Sequence, residues 1–214
     1  MAVNLQWLGH ASFCISSGSN VVYIDPWKME NNPHNATAVL VSHSHYDHYS
    51  PSDISKVSVK TTTLIGTKDV INGKQSTAAQ ASVLLPGQVI TVGTIKITGV
   101  PAYNPNKQFH PKDNNWLGFV VELDSMRIYY AGDTDMIEQI KMLRNIDTAL
   151  LPVGGTYTMD AQQAAEATEY IKPTLAVPYH WGDIVGSQQD AEKFCELAAC
   201  NAKILQPGET IELK

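Results

Sequence analysis

Short apolar runs separated by Gly, Ser, Asn and Asp fill the first hundred positions of the chain, and runs this short predict strands rather than helices. Strands are expected at residues 5–8, 13–16, 21–24, 38–41, 62–65, 83–85, 89–92 and 95–100, with a short helix at 77–82. Ser17-Gly18-Ser19-Asn20 and Val92-Gly93-Thr94 read as hairpin turns. The run at 38–41 is apolar throughout, the pattern of a strand buried on both faces. The opening Met-Ala-Val-Asn-Leu-Gln-Trp lacks the basic start and long apolar core of a signal peptide and reads as the first strand.

A similar pattern restarts in the second half. Strands are expected at 118–123, 127–130, 148–152 and 175–177 and near Ile211, with helices at 135–143 and 188–199. A further helix is marked by Ala161, Ala164, Ala165, Thr168 and Ile171 at helical spacing, with Asp160 as N-cap and Pro173 as the stop. Strand-rich halves, each followed by helices, predict an α/β domain of two packed sheets with helices outside, spanning residues 1–214. Residues 101–115 form a long irregular stretch, and loops of that length inside a compact domain usually carry function.

Chemistry concentrates just after the buried run, where Val41 to Ser50 reads Val-Ser-His-Ser-His-Tyr-Asp-His-Tyr-Ser. Imidazole nitrogens with a carboxylate oxygen are the donor set of a borderline divalent ion such as Zn²⁺. In extended chain, His43, His45 and Asp47 share a face. His48 joins them only if the backbone bends. Ser50, Pro51 and Asp53 then mark a helix start, so the local order is strand, metal loop, helix.

Three further polar residues follow apolar strands. Asp133 serves either as a helix cap or as a ligand, and His180 either as a core histidine or as a ligand. Asp25 makes either an Asp-Pro turn or a partner that orients a ligand histidine. His10 lies between two strands, His110 in the long loop, and His34 in an Asn-rich surface loop where solvation suffices. Gly154-Gly155 matches no phosphate loop and reads as a turn, and no Gly-x-Ser-x-Gly element supports a serine hydrolase.

Composition narrows the partners. The 214 residues carry a net charge of −6 and two arginines, Arg127 and Arg144, with no basic run, which opposes nucleic-acid binding. No apolar stretch nears the roughly 18 residues of a membrane span. Cys14, Cys195 and Cys200 are odd in number and not in metal-binding spacing, which points to reduced thiols and a cytoplasmic setting.

With these motifs in order, the chain resembles the metallo-β-lactamase superfamily of metal-dependent hydrolases. The resemblance rests on His43-x-His45-x-Asp47-His48, Ala-Gly-Asp133-Thr-Asp and the strand-end His180. Trp-Leu-Gly-His10-Ala-Ser and Tyr-Ile-Asp25-Pro resemble the branch of ascorbate-6-phosphate lactonase-like proteins and the phospholipase D acting on N-acylphosphatidylethanolamines. The resemblance implies a four-layer αββα sandwich with one or two divalent ions at one sheet edge, zinc first, with manganese, nickel or iron as alternatives. It implies that His43 and His45 hold a first ion, that Asp47, His48 and His180 hold a second, and that Asp133 bridges them. The family places another first-site histidine after Val100, where this chain has Tyr103-Asn104; Asn104 stands in its place, and His110 or His10 could complete the site, or the site stays incomplete.

The chemistry so implied is attack of a metal-bound hydroxide on a small ester, lactone or phosphoester, with Asp47 orienting or deprotonating the water. Ligand histidines must be neutral, so metal affinity is expected to fall below about pH 6.5. Trp27, Tyr103, Phe109, Tyr157 and Trp181 would line the pocket, with Lys107 or Lys112 facing an anionic substrate. Two other functions compete. A di-iron oxidoreductase on the same fold is opposed by His45, where those relatives carry a carboxylate. A non-enzymatic metal-binding protein is kept open by Asn104.

Overall fold

Along the central strands of the first sheet, apolar residues alternate between two cores, and that alternation builds the layers. The computed structural model describes residues 1–73 and 80–214. One seven-stranded sheet contains, in spatial order, β1 (Val3–Gly9), β2 (Ser12–Ser17), β3 (Asn20–Ile24), β4 (Ala36–Val41), β5 (Ser58–Gly66) and β6 (Gln80–Val83). The C-terminal strand β14 (Thr210–Leu213) pairs antiparallel with β1 on the outer edge. The strands β1 to β3 form an antiparallel meander, and β3 to β6 run parallel.

The second seven-stranded sheet runs β7 (Val89–Val92), β8 (Ile95–Pro101), β9 (Leu117–Leu123), β10 (Met126–Tyr130), β11 (Thr148–Pro152), β12 (Leu175–Tyr179) and β13 (Asn201–Ala202). Phe13, Ile15, Val22, Ile24, Ala38 and Leu40 enter the core shared with this sheet. Their neighbours Cys14, Tyr23, Val39 and Val41 turn the other way, onto Ile54 and Val57 of α1 (Pro51–Val57) and Val70 of α2 (Lys68–Asn72). Each fully buried Phe, Ile or Leu contributes about 1.5–3 kcal/mol. Helices α3 (Glu138–Lys141), α4 (Ala161–Ile171) and α5 (Gln188–Leu197) lie on the second sheet, which completes an αββα sandwich.

Local signals end the helices where the side-chain chemistry predicts. Ser50 accepts from the Asp53 amide at the start of α1, and Asp160 with Gln163 makes a reciprocal capping box at α4. Three expectations need correction. The helix expected at 135–143 shrinks to Glu138–Lys141, because the Asp135 amide is fastened to the Tyr103 carbonyl instead. The strand expected at 83–85 lies at Gln80–Val83, paired with Thr63–Gly66. That pairing also displaces the helix expected at 77–82, whose first three residues lie outside the described ones. Among the described residues, no helix is long and apolar enough to cross a membrane.

Parallel strands place their C-terminal ends on one edge. Asp25 follows β3, the histidine-rich segment follows β4, Asp133 follows β10 and His180 follows β12. Open α/β sheets bind ligands at such an edge.

Candidate metal centre

The His-rich segment can converge because it turns. The amides of His48 and Tyr49 both donate to the His45 carbonyl, at 3.0 and 2.8 Å, and this bend returns His48 toward His43. His10, Asp25 and His180 all take left-handed backbone, with φ of 47°, 45° and 63°. A non-glycine residue there is held against an intrinsic cost of about 1–2 kcal/mol, and such outliers collect at functional sites. Two bonds to the His10 carbonyl hold the turn, from the His180 amide and from the Trp7 indole, at 3.2 and 3.0 Å. Gly154 belongs to the same arrangement rather than being only a turn. A Cβ on it would lie 2.6 Å from the His180 carbonyl, so only glycine fits.

Three groups of donor atoms result, each lying within 4.8 Å of one another: His43, His45 and His110; His10, Asp47, His48 and His180; and His43, His48 and Asp133. His43 Nε2 faces His45 Nδ1 at 3.1 Å. Asp133 sits between the clusters. Its Oδ1 is 3.3 Å from His48 Nε2, and its Oδ2 is 3.2 Å from His180 Nε2 and 3.3 Å from His110 Nε2. His48 Nε2, His110 Nε2, His180 Nε2 and Asp133 Oδ1 are buried without a well-aligned hydrogen-bond partner. Buried polar atoms are nearly always satisfied, so four orphans aimed at one space fit a divalent cation with nitrogen and oxygen ligands.

The gap after Val100 resolves in the geometry. Asn104 does not point its amide at the other donors as a ligand would. Its Oδ1 lies 2.7 Å from His110 Nδ1, its backbone amide donates to the His110 carbonyl, and its Nδ2 donates to Tyr157 O. Asn104 therefore aims His110, which reaches His43 and His45. His10 joins the other group, with Nε2 3.0 Å from Asp47 Oδ2. His34 is exposed and bonds the Ser58 carbonyl.

Asp25 lies beneath the cluster and is fully buried. It receives the Ser42 amide at 2.7 Å, the Ser42 hydroxyl, the Tyr130 hydroxyl at 2.6 Å and His48 Nδ1 at 2.7 Å. That arrangement leaves His48 Nε2 pointing at the donor space.

The pocket over the cluster differs from expectation. Tyr103 sends its hydroxyl to Gln139, away from the donors. Trp181 is buried against Trp7, with ring centroids 5.0 Å apart, rather than lining the opening. Lys107 is consumed by Asp135 Oδ1 and the carbonyls of Gly155 and Thr158, at 2.7, 2.9 and 2.7 Å, and Lys112 lies over the Tyr103 ring. Tyr46 and Ile184, neither evident in the sequence as site residues, line the pocket with Phe109 and Tyr157. Trp116, also missed, backs the first cluster at 4.8 Å from the rings of both His43 and His45, with its indole anchored on Asp69.

The charges are arranged unevenly. Burial, then the neighbouring His48, pushes the His43 imidazole well below its ordinary range, and burial lowers His45 and His10. Burial also pulls on His48, but the carboxylates of Asp133 and Asp25 outweigh it and hold His48 well above 6.5. Burial would raise Asp133, yet His180 and His48 keep it well below the carboxylate range. Metal-free protein at neutral pH thus carries a proton on His48, and an incoming cation must displace it. The expected threshold near pH 6.5 consequently moves upward: affinity should keep rising with pH above 7, as His48 loses its proton. Calorimetric titration of the ion in buffers of different ionisation enthalpy should show net release of about one proton at pH 7. No proton release, with affinity flat above pH 6.5, would contradict this charge assignment.

Comparison with known proteins gives the family. The family model described as a beta-lactamase superfamily domain matches residues 4–180. A UPF0173 metal-dependent hydrolase of Thermococcus onnurineus is 33% identical over 227 residues, covering 99% of this chain and 100% of the relative. A crystal structure described as a putative metal-dependent hydrolase from Parabacteroides distasonis superposes with a TM-score of 0.82 at 28% identity, over 95% of this chain and 94% of that one. A metallo hydrolase from Ignicoccus hospitalis superposes equally well, TM-score 0.82, at 22% identity over 100% of this chain and 99% of that one, a likeness of fold. The chain belongs to the beta-lactamase superfamily, among the UPF0173 metal-dependent hydrolases.

Proposed function

We propose that this chain, as one domain in a cytoplasmic setting, hydrolyses a small ester, lactone or phosphoester with two divalent ions. His43, His45 and His110 would hold one ion, Asp47, His48 and His180 the other, and Asp133 would bridge them. The carrying observation is the set of four orphaned ligand atoms, Asp133 Oδ1 and the three imidazole nitrogens around it. When bound, such ions, zinc first among zinc, manganese, nickel and iron, lower the pKa of water and polarise the substrate oxygen.

The remaining steps belong to the chain. Asp47 orients the attacking water and accepts its proton. Burial would raise the Asp47 carboxyl, but the His10 hydrogen bond and the charge of His48 hold it below its ordinary range, so it is ionised and ready at neutral pH. His10 fixes the carboxylate through its 3.0 Å contact. Asn104 and Asp25 keep His110 and His48 aimed, which limits reorganisation during reaction. That His10 and Asp25, the residues of the two segments resembling the lactonase-like branch, contact Asp47 and His48 supports a reading within that branch. The free thiols Cys14, Cys195 and Cys200 support a reducing compartment.

The test is to strip metal by chelation, restore zinc, manganese, nickel or iron in turn, and measure metal content and turnover. Two equivalents per chain and metal-dependent hydrolysis of at least one of p-nitrophenyl esters, γ-lactones or bis(p-nitrophenyl) phosphate are expected. Fully loaded protein that turns over none of them overturns the hydrolytic reading. Oxygen-dependent turnover with stoichiometric iron would assign the oxidoreductase alternative instead.

A further inference from the structure

Resting on the hydrolytic reading, we infer that the substrate is an ester or lactone with an uncharged, apolar acyl group, the part seated in the pocket, reacting carbonyl included, being about ten non-hydrogen atoms in size. The cavity beside the metal centre has a volume of about 240 Å³. A dry apolar cavity of about 150 Å³ takes benzene, which scales to about ten non-hydrogen atoms here. Its floor is polar, formed by His45, Asp47, His110 and Asp133, and its walls are Tyr46, Phe109, Tyr157 and Ile184. Three of these wall residues keep large exposed surfaces, Tyr46 67%, Phe109 44% and Ile184 40%. Large apolar side chains left open together around reactive donors are the profile of a ligand site.

The wall is already assembled. Phe109 meets Tyr157 edge to face, with ring centroids 4.7 Å apart, so the two loops that bear them are joined across the pocket. Lys107 reinforces the join, since its ammonium ties the long loop to the loops of Asp135 and of Gly155–Thr158. This same bonding occupies the Lys107 ammonium, so it does not answer a remote anion. Lys112 rests on Tyr103, and Lys28 is paired with Asp183 at 2.7 Å on the surface. Among the described residues, no Lys or Arg lines the pocket. A phosphate or carboxylate at the far end of the substrate would lie against aromatic and aliphatic walls without a counter-charge and would give up part of its hydration for no return. The reaction is then plain hydrolysis. Water oxygen bonds to the acyl carbon, the acyl carbon–oxygen bond breaks, one proton goes to the leaving alcohol, and the other is released as the acid ionises.

Binding and turnover can be tested separately on zinc-loaded protein. Alkyl hydroxamic acids from acetohydroxamic to octanohydroxamic acid would grip the metals at one end and lay the chain along the wall. Affinity should rise about threefold to fourfold per methylene until the pocket is filled. The ω-carboxylate analogue of octanohydroxamic acid should bind at least about tenfold more weakly than the uncharged compound. In Phe109→Ala and Ile184→Ala, the octano-to-aceto affinity ratio should shrink while metal content stays full. For p-nitrophenyl esters, kcat/KM should climb in the same order from acetate to octanoate. Affinity that is flat with chain length, or tighter binding of the carboxylate analogue, overturns the inference. A steep hydroxamate series in protein that cleaves no ester, lactone or phosphodiester would leave the apolar wall standing and sink the hydrolytic reading alone.

Discussion

Asp133→Ala is expected to lose both metal ions and to lower kcat/KM by about 10³-fold or more, the largest effect of any single substitution here. The metals' electrostatic contribution to the transition state is worth several kcal/mol, and each 1.36 kcal/mol is tenfold in rate. Among the described residues, Asp133 alone has a carboxylate within 3.3 Å of His48, His110 and His180 together. Without it, the two clusters have no shared anion, and the buried imidazoles face one another with Asp47 on one side and Asp25 beneath His48 to oppose them. The change should also register in metal-free protein. There Asp133 helps hold a proton on buried His48, and removing one partner of a buried pair costs about 3–5 kcal/mol. The sign can be followed through pH. A raised His48 pKa favours the fold fully below about 6.5, and the benefit fades as pH climbs through the folded value. Asp133→Ala should therefore narrow the stability gap between pH 6 and pH 9 in chelated samples. Metal analysis, kinetics and thermal melts with and without chelator measure all three effects, and Asp133→Asn separates charge from shape. Full metal content with retained activity in Asp133→Ala would remove this residue from the centre.

Much of this arrangement is legible in the amino-acid pattern because strands write their faces locally. Val39 and Val41 alternate with Ala38 and Leu40 inside one apolar run, so burial on both sides can be read before any partner is known. The spacing of His43, His45, Asp47 and His48 is likewise local, needing only a bend to converge. Asn104 and His110 are different. Whether an asparagine six positions away ligates a metal or aims a histidine depends on where the 101–115 loop folds back, and tertiary contacts alone decide that. Lys107 follows the same logic. Its charge is visible in the chain, but the carbonyls of Gly155 and Thr158 that claim it come from a distant loop. Tyr46 and Ile184 carry no signal either, since an exposed aromatic or aliphatic residue gains meaning only beside the donors it overhangs.

The second large effect is expected from a residue that touches neither metal nor substrate. Asp25→Ala should weaken metal binding by about 10- to 100-fold and destabilise the fold by about 3–5 kcal/mol. The carboxylate collects the Ser42 amide, the Ser42 and Tyr130 hydroxyls and His48 Nδ1, so its removal strands four donors in a site with no access to water. Tyr130 belongs to the second sheet and Asp25 to the first, and the bond between them crosses the sandwich directly under the metal centre. Folding and ligand geometry are thus coupled at one atom pair. Asp25→Asn refines the point, because an amide of the same shape can still accept from one side but cannot balance the charge on His48. It should keep much of the stability while His48 gives up its proton at lower pH. The outcome to look for is metal affinity that climbs less steeply above pH 7 in Asp25→Asn, since Asp133 still faces His48. If affinity and its pH dependence match the parent protein, Asp25 is a structural acceptor and His48 is oriented by its own backbone.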